Sequence, residues 1–387
     1  MDMSMSPPHL AHLAMPFSLA GSSITNVIRD LSKQHALFGG RSSAILTAGR
    51  SGDVEHAEVV RADYREYCPR TWFTRREYAM DALAGRLGLE RPYGGRVYIP
   101  GIRALSDLRP DWVIIHEGHY ALASAPRLRR TVPEAKIAVY LHNRLSRTYS
   151  RTELRRLLKG VDLVIGVSEF MSRHASERLG NQDARVVTLL NGVDTDMFPL
   201  QARPPIEARP LRILYVGQVA PHKGVHVLLE ALESLGPNNL EVRIVGSSRH
   251  GEKVAITPYE QSLRTMAEAT AADITFVPFV PRERLAEHYG WADVVIVPSL
   301  FEEPFCLVLL EAMSTGAAVV AADRGGIREA AGGAAVLYDG SVEGLRAALA
   351  SLSKQVLVDL SRRGLVRASE QSWNGQYLYL RQLLGAT

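Results

Sequence analysis

The chain has 387 residues, 46% of them apolar and 22% charged, and a formal net charge of +4. That length exceeds one ordinary domain and predicts two, and the composition excludes a disordered or fibrous protein. Two cysteines far apart, Cys68 and Cys306, argue against a disulfide framework, and no Cys/His cluster has zinc spacing, so the expected compartment is reducing and cytoplasmic.

The apolar runs are too short to span a bilayer. LAMPFSLAG near the start has no basic segment before it, follows Asp2 and contains Pro16, so it does not read as a secretion signal. HLAHLAMPFSLA at 9–20 reads as a first strand and its loop, with Gly21 at the turn. A helix follows, with Ser22 or Ser23 as its cap and Ile24, Val27, Ile28 and Leu31 on one face. SSAILTAG at 42–49 is a second strand. Residues 51–103 are hard to read beyond one helix, RREYAMDALAGRLG.

Short β-rich runs then alternate with helices. DWVIIHEGHYAL ends a strand at His116, with His119 just beyond, and KIAVYLHNRL ends one at His142. VDLVIGVSEFM is a third, with Ser168 or Glu169 opening a helix, and VVTLLNGVDTDMF a fourth. This alternation predicts a doubly wound parallel sheet. Between Arg127 and Lys159 ten basic residues (127, 129, 130, 136, 144, 147, 151, 155, 156 and 159) face only Glu134 and Glu153. Such a face suits an anionic membrane surface or an acidic acceptor, and equally a solvated surface. Nucleic acid is not expected, since no aromatic residues interleave the charges.

PLQARPPIEARP at 199–210 reads as an extended linker. LRILYVGQ begins a second alternating series. Gly217 follows its first strand, and the turn ends on Lys223-Gly224. A lysine there is a natural counter-charge for a leaving diphosphate. No G-x-G-x-x-G follows the first strand of the chain, which argues against a dinucleotide enzyme.

The most informative stretch is DVVIVPSLFEEPFCLVLLEAMSTGAAVVAADRGGIRE, from Asp293 to Glu329. Val294 to Val297 is too short for a helix and β-branched, hence a strand buried on both faces. The loop SLFEEPF leads into the short helix LVLLEAMST, which Gly316 stops. AVVAA is another buried strand, and the glycines at 325–326 lead into a further helix. A loop feeding a helix N-terminus at the carboxyl end of a parallel strand suits a phosphate. Glu303 before the helix and Glu311 within it flank that position, where carboxylates accept hydrogen bonds from sugar hydroxyls.

This stretch resembles the E-x7-E motif of retaining family 4 glycosyltransferases of the GT-B fold. In those proteins the order is a strand, PS, EPFG, LEAMA-x-G, PVVA, then GG with a Glu following. VSEFM, NGVDTDMF and the closing SW pair with its helix are also close to family phrases. The resemblance is specific from about residue 136 to 375 and weak before that. It implies an α/β, GT-B architecture of two Rossmann-like domains facing a cleft. Residues 1–200 would be the acceptor side and 201–370 the nucleotide-sugar side, with 371–387 a helix crossing back to the first domain.

The resemblance also implies roles. Glu303 and the backbone of Phe305, Cys306 and Leu307 would hold the donor sugar, and Glu311 the ribose. Gly217, Gln218 and Lys223 would lie along the diphosphate. Gly21 would stand in for a diglycine loop, and His142 would contact the donor sugar near the reacting centre. Two positions depart from the pattern: Cys306 replaces a glycine, and Gln218 replaces an arginine, leaving His222 or an arginine from elsewhere to compensate.

The expected reaction is retaining sugar transfer from a nucleotide-diphosphate sugar to a hydroxyl acceptor, whether glycan, lipid-linked or small. Apart from Asp194 and Asp196 within NGVDTDMF no D-x-D pair is present, and no metal or other cofactor is expected. Two rivals remain. A GT-B sugar-nucleotide epimerase would release free epimer without acceptor. A catalytically silent sugar-binding scaffold is favoured by Gln218 and Cys306 but opposed by the retained Glu303, Glu311 and Lys223.

Overall fold

A computed structural model of the chain describes residues 6–14, 22–46, 54–62, 74–118, 120–180, 185–205, 209–235, 239–248 and 255–385. The chain divides into two compact units. The first runs to Leu190 and takes back the chain from Gln376, and the second spans Asn191–Gly375.

The first unit opens with β1 (Leu10–Leu13), α1 (Ser23–Leu37), β2 (Ser42–Leu46) and β3 (Glu58–Arg61). Then come α2 (Arg75–Arg86), α3 (Ile99–Leu108), β4 (Trp112–Glu117), α4 (Ala125–Thr131) and β5 (Lys136–Leu141). It continues through α5 (Arg151–Leu157), β6 (Leu163–Gly166), α6 (Glu169–Leu179) and β7 (Arg185–Thr188). The strands form one sheet in the order β3-β2-β1-β4-β5-β6-β7, every pair parallel. The central strands β1, β2, β4 and β5 are buried along almost their whole length, as a sheet covered on both faces requires. Ser22 caps α1 by accepting from the Thr25 N–H at 3.2 Å, and Ser168 caps α6 by accepting from Met171 N–H. α2 begins with a capping box between Thr74 and Glu77.

Residues 51–103, which the sequence left mostly unread, contribute β3 and α3 as well as α2. β3 is four residues long, lies at the sheet edge and is half-exposed, so it carries little hydrophobic pattern. This region is tied down by a buried bidentate pair. Arg91 donates to both Glu153 oxygens at 2.6 and 2.8 Å, and its guanidinium lies over the Tyr120 ring.

The second unit contains β8 (Leu211–Val216), α7 (Val225–Ser234), β9 (Leu240–Val245), α8 (Pro258–Glu268) and β10 (Asp273–Val277). After these come α9 (Leu285–Trp291), β11 (Val294–Val297), α10 (Leu307–Ser314), β12 (Ala318–Ala322) and α11 (Ile327–Ala331). β13 (Val336–Tyr338), α12 (Val342–Ala350) and α13 (Lys354–Glu370) complete it. Its sheet order is β10-β9-β8-β11-β12-β13, again all parallel. Gly316 has φ +83°, the left-handed value expected where α10 ends. The last helix, α14 (Trp373–Leu383), passes into the first unit at Gln376. There the Tyr377 hydroxyl bonds His35 Nδ1 of α1 at 2.6 Å.

The proline-rich stretch is not a free spacer along its length. Arg203 donates to the carbonyls of Ala292, Tyr289 and Thr315 at 2.6, 3.0 and 2.8 Å. These carbonyls lie at the ends of α9 and α10, the negative ends of both helices, so one guanidinium there serves two helix ends together. The phrases NGVDTDMF and QSW meet inside the second unit. Val193 N–H donates to Gln371 O at 2.8 Å and Trp373 N–H to Val193 O at 3.2 Å. A Cβ on Gly192 would crowd the Trp373 backbone, which explains a glycine beside Asn191.

Candidate active site

Open parallel sheets leave a crevice beyond the strand ends where strand order reverses. In the second sheet that point lies between β8 and β11. The turn after β8 supplies Gly217, Gln218 and Lys223, and the loop after β11 supplies Ser299, Phe301 and Glu303. The two meet. Lys223 Nζ donates to Glu303 Oε1 at 2.8 Å, and Ser299 Oγ donates to the same oxygen at 2.6 Å. Lys223 also stands 4.6 Å from the centre of the Phe301 ring, and His222 packs edge-on against that ring at 5.2 Å. The two turns are held together by the Leu300 N–H donating to His222 O at 2.9 Å. A Cβ on Gly224 would overlap the Pro298 carbonyl, so the lysine turn needs glycine to lie this close.

Glu303 is fixed from the other side as well. Its backbone bridges Gly325, and its carbonyl accepts from Gly326 N–H at 2.8 Å. This is the structural use of the glycine pair at 325–326. Gln218, standing where an arginine was expected, turns its side-chain amide onto Ser248 O at 2.8 Å. Its own carbonyl accepts from the Tyr215 hydroxyl at 2.8 Å.

Glu311 is buried, and both of its oxygens are engaged. Arg282 Nε donates to Oε1 at 3.0 Å, and the Tyr289 hydroxyl donates to Oε2 at 2.9 Å. Arg282 is itself buried. Phe305 lies in the core, and Leu307 is half-exposed at the first position of α10.

In the first sheet the order reverses between β1 and β4. Three histidines line that end in a row. His12 Nδ1 lies 3.0 Å from His116 Nε2, and His116 Nδ1 lies 3.0 Å from His142 Nε2. The His116 and His142 rings are stacked at 5.3 Å, and the Tyr140 ring packs against both. Burial pushes His12 and His142 down to about 3 and His116 well below its usual value, so all three rings are neutral at physiological pH. Nearby, buried Glu117 is pushed up to about 7 by desolvation, against the pull of the Leu122 N–H and the Tyr149 hydroxyl.

The structure therefore brings Lys223 and Glu303 together, puts Glu311 in a separate buried pair, and sets His142 in a histidine row. Gly21 and His119 lie outside the described residues. Sequence reading missed four partners: Ser299, Arg282, Tyr289 and His12. Ser299 lies in the loop SLFEEPF without a role assigned to it, and the other three carry no local signal. Among the described residues no group of three or more His, Cys, Asp and Glu side chains is arranged to hold a metal ion.

Two family models divide the chain. Glycosyltransferase Family 4 matches residues 24–197, and Glycosyl transferases group 1 matches residues 198–363. The phosphatidyl-myo-inositol mannosyltransferase of Mycolicibacterium smegmatis is 31% identical over 281 residues, 67% of each chain. The chain belongs to the family 4, group 1 glycosyltransferases. The lipopolysaccharide 1,2-N-acetylglucosaminetransferase of Salmonella typhimurium is 29% identical over 249 residues, 62% of this chain and 61% of that protein. This family member spans 61%, 59% and 52% of the lengths of three curated relatives it matches. Its fold is that of sucrose-phosphate synthase from Thermosynechococcus elongatus, with a TM-score of 0.75, 19% identity, and 98% and 100% of the two chains covered. Anabaena HepE, solved with UDP and glucose, follows at 0.73, with 18% identity and the same coverage. Both show the GT-B arrangement of two Rossmann-like domains.

Against that family pattern, Cys306 carries a visible cost. It takes φ 110° and ψ 82° immediately before α10, a conformation that suits glycine. Its thiol is pushed up to about 12, first by burial and then by the Glu303 charge, so it is no thiolate nucleophile.

Proposed function

We propose that this family member transfers a sugar from a nucleotide-diphosphate sugar to a hydroxyl acceptor with retention at the anomeric carbon. The observation that carries this reading is the Lys223–Glu303–Ser299 cluster at the switch point of the second sheet, beside the N-terminus of α10. An ammonium has three donors, and Glu303 uses one, leaving Lys223 others for a diphosphate oxygen. The first N–H groups of α10 add positive potential where the leaving group gathers charge. In the reaction the anomeric carbon–oxygen bond to the diphosphate breaks. The acceptor oxygen bonds that carbon on the same face, and its proton passes to the departing diphosphate.

Glu303 and the backbone at 305–307 would hold the sugar, and Glu311 the ribose through the remaining lone pairs of its oxygens. Lys223 supplies the positive charge a metal would otherwise bring, so turnover is expected to persist in EDTA. Complete loss there, restored by Mg²⁺ or Mn²⁺, would contradict that part.

The test is release of nucleoside diphosphate from a panel of nucleotide sugars, with and without acceptor. UDP-sugars come first because the Anabaena neighbour holds UDP and glucose. Acceptor-dependent release with a retained anomer supports the reading, whereas free epimer formed without acceptor would replace it with an epimerase. The exposed Met80 and Leu83 on one face of α2, with Leu87 and Leu89 just beyond its end, favour a lipid-linked acceptor at an anionic surface. Sedimentation with anionic vesicles at low salt checks this, and no binding there removes it.

A further inference from the structure

The first sheet holds a feature that sugar transfer as described does not use. His12 and His116 are fully buried and touch no solvent, yet they connect to His142 through two hydrogen bonds of 3.0 Å. A neutral imidazole has one N–H and one bare nitrogen. His116 bonds at both nitrogens, so it donates at one and accepts at the other. The whole row must then share one polarity. Either every ring carries its proton on Nδ1, or every ring carries it on Nε2.

The far end decides between them. His12 Nε2 is buried and has no hydrogen-bond partner among the described residues. If the protons sit on Nε2, that atom is a buried N–H donor with no acceptor among the described residues. Orphaned buried N–H groups are the rare kind of defect, because a desolvated donor costs its full hydration. If the protons sit on Nδ1, only a bare lone pair is stranded there. The second arrangement makes His142 accept at Nε2 from His116 and present Nδ1–H outward.

We propose that His12 and His116 are positioning residues that hold His142 with its proton on Nδ1, making it a fixed hydrogen-bond donor at the end of the first sheet rather than a general base. The expected effect on turnover rests on the proposed sugar transfer. With Nε2 already accepting and Nδ1 already protonated, the ring has no lone pair to take the acceptor hydroxyl's proton. It can donate to a sugar hydroxyl or a diphosphate oxygen. The row also has no acceptor or solvent at its inner end among the described residues, so it orients a ring rather than conducting protons.

The experiment is long-range ¹H–¹⁵N spectroscopy of the full chain labelled at histidine, with His142 assigned by the signal lost in His142→Ala. The expected result is a pyrrole-type Nδ1 and a pyridine-type Nε2 on His142 in the unsubstituted protein. In His12→Phe the row loses its inner donor, and the His142 signal should become a mixture of tautomers. The kcat for sugar transfer should then fall by about tenfold while KM for the nucleotide sugar barely moves. His116→Gln, which can still accept and donate, should recover part of the loss seen in His116→Leu. An Nε2–H tautomer in the unsubstituted protein overturns the proposal, as does a single unchanged His142 tautomer in His12→Phe. If His12→Phe does not fold, the unsubstituted spectrum decides alone. If no nucleotide sugar is turned over, the functional reading fails, while the tautomer result still stands or falls by itself.

Discussion

Each sheet gathers its polar side chains where its strand order reverses, but the two do so in opposite ways. At the switch point of the first sheet three rings sit in a row, 0%, 0% and 9% exposed, and burial keeps them neutral. At the switch point of the second, Lys223 and Glu303 form an ion pair with side chains 25% and 10% exposed. Depth explains the difference. A fully desolvated imidazole sheds its proton at little cost, because its neutral form lies close to physiological pH. Lys223 and Glu303 instead meet each other at 2.8 Å and remain partly wet. One region is suited to orienting, and the other to meeting charge.

The comparison is broken most severely at the second unit's other carboxylate. Glu311→Ala leaves Arg282 buried without its carboxylate, which should cost about 3–5 kcal/mol of stability. Denaturant unfolding measures it. Glu311→Gln keeps the shape and should cost less, so it isolates the ribose role. If its affinity for nucleoside diphosphate in calorimetry equals that of the unsubstituted protein, Glu311 serves the fold alone.

Acid separates the two regions next. His12 and His142 have folded values near 3 against 6.5 when unfolded, so their contribution is present above pH 6.5 and is lost as pH falls toward 3. Glu117 works the other way. Its value near 7 against 4.5 favours the fold at low pH and is lost as pH rises from 4.5 through 7. The histidines outweigh it, and stability should drop by roughly 3 kcal/mol between pH 6.5 and 4 at about 1.4 kcal/mol per pKa unit. Melting temperature against pH shows the slope, and His12→Phe should flatten it. A slope unchanged in that variant would mean the histidines are not its source.

Lys223→Met tests the ionic region by rate. The side chain is partly exposed, so the fold should survive, while kcat should fall on the order of 10²-fold, or about 2.7 kcal/mol. Near-normal turnover would leave the helix N–H groups as the main support for the leaving group. The smallest effect is at Cys306. Cys306→Gly removes a strained backbone and should stabilise the protein by about 1 kcal/mol. Loss of stability instead would mean that the thiol's packing outweighs the strain.

The ionic region was legible because its parts are local. The run from Asp293 to Glu329 contains strand, loop, helix and second strand in order, each with its own period, stop residue or glycine. Lys223 stood out as a cation at a glycine turn after a strand. Ser299, four residues from Glu303 in the same loop, was within reach of that reading, but nothing local marks it as the partner of Glu303. The histidine row was not legible, because its bonds join residues 104 and 26 positions apart. Glu311 was recognised in the sequence, but Arg282 and Tyr289, 29 and 22 positions before it, were not.

The sequence by itself determined the doubly wound architecture, the glycosyltransferase family and the residue types at the second switch point, since hydrophobic period, turn chemistry and motif spacing are properties of neighbouring residues. Only the tertiary structure decided which carboxylate pairs with which cation and that three histidines share one row. It alone gave those rings their neutral state, because ionisation depends on how much water the rest of the fold removes.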